Sequence, residues 1–129
     1  MFSLNHAKHQ EGAVLAFSMD PSSQFTLPRT GHVLANRSVL AAMTNKQSHE
    51  DGTLSDEEIR WLVRRAKDGF AITTTAAANV TEHGRGWEGE MGVWGDHQLP
   101  GLTKMATQLK AAGTLSLAQI FHGGMRAPQ

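Results

Sequence analysis

At 129 residues the chain has room for one domain, and a hydrophobic fraction of 40% is ordinary for a globular fold and excludes intrinsic disorder. Twelve basic residues balance twelve acidic ones, so there is no overall field to hold nucleic acid or an anionic membrane surface. Cysteine is absent, which excludes disulfides, thiolate metal sites and thiol nucleophiles, and fits a reducing, cytoplasmic setting.

Residues 1–24 read as a loosely held leader. Their short apolar run, Ala13–Phe17, is too short for a secretory signal. Nowhere does an apolar run approach the roughly 18 residues of a membrane helix. From Phe25 the sequence alternates β-type runs with amphipathic helices. Gly31 and Asn36 flank Val33-Leu34, which predicts a small hairpin or extended lead-in. Ser38–Met43 is apolar on nearly every residue and reads as a first buried strand.

Ser55-Asp56-Glu57-Glu58 has the form of a capping box, in which Ser55 caps a helix and Glu58 reaches back to it. Ile59, Leu62, Val63 and Ala66 then fall on one helical face, and Gly69 supplies a left-handed stop. Phe70–Thr75 reads as a second buried strand, closed by Ala76-Ala77-Ala78-Asn79. The stretch Thr81–Gln98 is broken by five glycines and reads as a long functional loop, pinned by Trp87 and Trp94. Leu102, Met105, Ala106 and Leu109 mark a second helix ending at Gly113, and Thr114–Phe121 a third strand.

Strand, helix, strand, helix, strand predicts a parallel sheet with right-handed crossovers. Two such crossovers in one direction cover one face and leave the other bare. The expected architecture is α/β: a (β/α)₈ barrel of which the first three βα units are present, since a whole barrel needs about 250 residues. Residues 25–129 would be its N-terminal part, with the missing strands or self-association covering the bare face.

Chemistry in such folds sits just past the strands. Three clusters lie there: Ala42-Met43-Thr44-Asn45, Ala76-Ala77-Ala78-Asn79 and Gln119-Ile120-Phe121-His122-Gly123-Gly124. Each has a plain structural explanation, but an amide such as Gln119 among apolar residues must find a partner. His6 and His9 sit in the leader and the other five histidines form no paired ligand spacing, so no metal is expected.

Asn36-Arg37-Ser38-Val39-Leu40-Ala41-Ala42-Met43-Thr44 resembles the first-strand pattern of the old yellow enzyme family, an Asn-Arg pair before an apolar strand ending in Ala-Met-Thr. Asp51-Gly52 matches a pair the family often carries before its first helix, and Ala76-Ala77 is similar to its turn after the second strand. Ala118–Gly124 is similar to its Gln-Leu-x-His-x-Gly pattern, although Met125 stands where the family has arginine, with Arg126 one place later. The resemblance covers about residues 25–128. It implies an FMN-dependent oxidoreductase in which NADH or NADPH gives hydride to flavin and flavin passes it to an activated alkene or related small molecule. It further implies that the Thr44 hydroxyl lies near flavin O4, that the Gln119 amide meets the pyrimidine edge, and that Ala42, Met43 and Ala77 approach the ring. The family's substrate-anchoring pair, tyrosine proton donor and phosphate-binding arginine lie on later strands, so no catalytic residue is expected here and the isolated chain should have little turnover. A non-catalytic half-barrel that binds or self-associates is the alternative from another class.

Overall fold

A computed structural model describes residues 20–127, so most of the expected leader lies outside the described residues. In chain order the elements are β1 (Phe25–Thr26), β2 (Val33–Leu34), β3 (Val39–Leu40), α1 (Asp56–Lys67), β4 (Ile72–Asn79), β5 (Met91–Gly92), α2 (Leu99–Ala111) and β6 (Leu115–Phe121). The expected hairpin is β1 antiparallel to β2, turning through Gly31 at φ +70°. Asn36 and Arg37 fasten this lead-in to the base of the sheet. Asn36 Nδ2 donates to Gly69 O at 2.7 Å, and the Arg37 guanidinium lies 4.8 Å from the Phe25 ring centre while its Nε donates to Ser23.

The main sheet is parallel throughout. Strand β4 is central: β6 runs along one edge of it, while β3 and β5 share the other, β3 at its start and β5 at its end. That sharing corrects two expectations. The first strand is not a buried run from Ser38 to Met43; Val39 and Leu40 alone pair, and Val39 is 52% exposed. Beyond Leu40 the chain leaves the sheet, because β5 takes the place beside the upper half of β4. Conversely Ala76–Asn79, expected to close the second strand as a turn, is its upper half. Alanine favours strands weakly, but neighbours on both edges complete the hydrogen bonding and override that preference. A register shift between Thr74 and Ala77 marks a bulge.

Helix α1 forms as its sequence dictates. Ser55 Oγ accepts from Glu58 N–H at 3.1 Å, and Ile59, Leu62, Val63 and Ala66 are buried. Burial of Ile59 or Leu62, 2% and 1% exposed, contributes about 2–3 kcal/mol each. The reciprocal half of the capping box does not form, because the Glu58 side chain turns into the protein toward Asn45 and Ser48. In α2, Met105 and Leu109 are buried as expected, but Ala106 is exposed: the helix meets α1 and the sheet along a stripe too narrow to include it. Gly69 and Gly113 follow the two helices at φ +111° and +79°. Among the described residues no helix is long and apolar enough to cross a membrane.

The core lies on one face of the sheet, where Leu40 and Ala78 meet Ile59, Leu62, Met105 and Leu109 of the helices. Alternation along the strands therefore sends Val39, Ile72 and Leu115, which share one row, to the other face, with Thr74 and Leu117 above them. That face is open: Leu117 is 46% exposed. On the helix side Ile120 of β6, 70% exposed, lies beyond the reach of α2.

Candidate flavin site at the strand ends

Counting upward from the Val39–Ile72–Leu115 row locates the residues expected to form a site. Ala77 follows Ile72 by five residues and Gln119 follows Leu115 by four, the β4 bulge absorbing the difference, while Thr44 lies four residues beyond the end of β3, outside the sheet. Ala77 and Gln119 are register partners. Since Ala78 faces the helices, both point to the open face. Ala77 is 5% exposed and contributes a single methyl. Gln119 is exposed; its backbone N–H donates to Thr75 Oγ1 at 3.2 Å, and its side-chain amide makes no hydrogen bond among the described residues. Ala42 is half-buried, whereas Met43 and Thr44 are exposed, all three in the irregular segment after β3. The ends of β4 and β6 thus present a small side chain and an amide on the open face, with the Thr44 hydroxyl in the irregular segment that follows β3.

The glycine-rich loop packs around these ends. Trp87 lies against Phe121 of β6, ring centres 5.3 Å apart. Trp94 packs over Gly52 and Gly92, where an added Cβ would come within 2.3 and 1.7 Å of its ring. Both tryptophans therefore pin the loop. Gln98, 1% exposed, accepts from Trp94 N–H at 2.9 Å and from Gly95 N–H at 3.2 Å. Asp51-Gly52 closes the turn before α1, with Gly52 at φ +77° and its carbonyl accepting from Gly92 N–H at 2.9 Å. Hydrogen bonds from the Thr53 hydroxyl and N–H hold the Asp51 carboxyl below its usual range. Outside the strand ends, a cleft of about 750 Å³ lies between the loops after β3 and β4, lined by His49, Asp51, Arg85, Trp94 and His97 among others. Among the described residues no three histidine, aspartate or glutamate side chains converge as metal ligands would.

Two buried acids were not singled out by the sequence. Glu58, 0% exposed, was read as half of a cap. Glu90, 2% exposed, sits in a loop with no periodicity to signal burial. Glu90 Oε2 accepts from Gly86 N–H at 2.7 Å, its Oε1 is without a partner among the described residues, and burial pushes the carboxyl above its ordinary value. A raised folded value means that the folded protein holds this proton more tightly than the unfolded chain. Stability from this group is thus fully present below the ordinary carboxyl range and is lost as pH rises through the raised value. Glu90→Gln is expected to flatten that loss, matching the native protein in urea unfolding near about pH 4 and exceeding it at neutral pH. A variant equally destabilised at both would contradict the assignment.

The NADH:flavin oxidoreductase / NADH oxidase family profile matches residues 29–129. A probable NADH-dependent flavin oxidoreductase of Bacillus subtilis, YqiG, is 37% identical over 100 residues, covering 78% of this chain and 27% of that protein. In structure the chain is similar to a 2-naphthoyl-CoA reductase in complex with 2-naphthoyl-CoA, with TM-score 0.78 and 31% identity over 84% of this chain and 16% of that one. It shares the fold of the old yellow enzyme homologue of Zymomonas mobilis, with TM-score 0.73 and 20% identity over 81% of this chain and 28% of that one. The fold is α/β, that of the old yellow enzymes. The chain belongs to the NADH:flavin oxidoreductase / NADH oxidase family, whose members depend on FMN and draw hydride from NADH or NADPH. It spans about a quarter of the length of the first of these relatives.

Proposed function

We propose that this chain is the N-terminal portion of an FMN-dependent oxidoreductase, comprising the first three βα units of a (β/α)₈ barrel. The remaining strands would cover the open face and extend the sheet from β6. The observation that carries the reading is the pairing of Ala77 with Gln119 on the open face at the carboxyl ends of β4 and β6, where such folds place their chemistry, with Thr44 in the segment that follows β3. The residues fit a flavin. Ala77 presents only a methyl beside the sheet, and the Gln119 amide can donate to and accept from the alternating groups of a pyrimidine edge. Thr44 would donate its hydroxyl proton toward O4, favouring the electron-rich reduced ring, with Ala42 and Met43 lining the approach. FMN supplies the hydride chemistry between NADH or NADPH and an electron-poor small molecule such as an activated alkene. The residues of this chain bind and orient; substrate anchoring and proton donation belong to later strands.

The reading predicts that Gln119→Leu weakens FMN retention by roughly tenfold, the loss expected when a buried polar edge loses its partner. Equilibrium dialysis against FMN measures this on the full-length protein. Unchanged retention would remove Gln119 from the site.

A further inference from the structure

The segment after Thr44 has no sheet to hold it, yet it is firmly tied, and the ties lead to one side chain. Glu58 lies in the first turn of α1 and is 0% exposed. Its Oε1 accepts from Asn45 Nδ2 at 3.1 Å and its Oε2 from Ser48 Oγ at 2.5 Å. Asn45 Oδ1 in turn accepts from Gln47 N–H at 3.3 Å, and Lys46 between them is held at φ +53°, a left-handed conformation uncommon for lysine. Ser48 N–H completes the arrangement by donating to Gly89 O at 3.1 Å.

Stability does not explain a buried acid on this helix. Its neighbours Ile59, Leu62 and Val63 form an apolar face, and an apolar side chain of similar volume in place of a buried polar link is often neutral or stabilising. What Glu58 supplies is direction. Both of its oxygens accept, so the Asn45 amide must turn Nδ2 toward α1 and Oδ1 toward Gln47 N–H. That orientation closes the turn through Lys46 and fixes the backbone immediately after Thr44.

We propose that Glu58 is a positioning residue for Thr44: from the helix side of the sheet, through Asn45, it sets where the Thr44 hydroxyl points. The inference rests on the reading that this hydroxyl faces the flavin. The test compares native, Thr44→Ala, Glu58→Gln, Asn45→Ala and the Glu58→Gln/Thr44→Ala double variant of the full-length FMN-loaded protein. It records the flavin midpoint potential by anaerobic titration, FMN retention and the unfolding temperature. Thr44→Ala should lower the potential. Glu58→Gln and Asn45→Ala should lower it in the same direction and weaken FMN retention roughly two- to tenfold, the loss of about one hydrogen bond. The double variant should go no lower than Thr44→Ala alone. Single variants that lose unfolding temperature while keeping the native potential would overturn the inference and leave Glu58 a structural residue. A native potential in Thr44→Ala would overturn the placement of Thr44 itself, and the role of Glu58 with it. Should Glu58→Gln fail to fold, Asn45→Ala, which leaves the helix core untouched, carries the same comparison.

Discussion

Gly92→Ala is expected to destabilise the protein by about 3 kcal/mol or more, lowering the unfolding temperature by more than about 10 °C. The added methyl would lie 1.7 Å from Trp94 Cζ3 and 2.2 Å from Gln98 Nε2. Neither neighbour can step aside cheaply. Trp94 is wedged over Gly52 as well, and the Gln98 amide is committed to Trp94 N–H and Gly95 N–H. Relief would also pull Gly92 N–H from Gly52 O and loosen the β5 pairing with Asn79. Gly113→Ala is the control. Gly113 has φ +79° but open space around it, so that variant should cost only the left-handed strain of about 1–2 kcal/mol. Equal unfolding temperatures for the two variants would show that the tryptophan clamp does not hold the loop.

Ala77→Leu is expected to abolish FMN binding. Ala77 faces away from the helices beside Gln119, and a leucine there would project three further carbons from the sheet into the space assigned to the flavin ring. The predicted protein is colourless after desalting while its circular dichroism remains that of an α/β fold. Ala77→Ser, which adds one atom, should keep its colour. An Ala77→Leu protein that retains FMN at native strength would sink the placement of the ring over β4.

What the sequence made legible was local. Ser55 and the Ile59, Leu62, Val63, Ala66 face fix α1 within a few residues of one another, so its cap and its buried stripe could be read directly. The ends of β3 and β4 could not, because they depend on where β5 docks, and Met91-Gly92 carries no strand signature. Glu58 shows the same limit in a side chain. A capping partner is the local reading, but Asn45 and Ser48 lie ten or more positions away and draw the carboxyl inward. Glu90 was hidden for a related reason: its burial comes from the fold of an aperiodic loop, not from a pattern along the chain. The candidate site residues were found by resemblance to a family, and the register of β4 and β6 adds that Ala77 and Gln119 lie side by side on the open face.

The central claim is that these strand ends cradle FMN. Its most direct test is the visible absorption spectrum of the full-length protein after FMN is added and the excess removed by desalting, run beside Ala77→Leu. The account predicts a retained flavin spectrum in the native protein and none in the variant. A native protein that emerges folded but colourless, or a variant as coloured as the native, would contradict it.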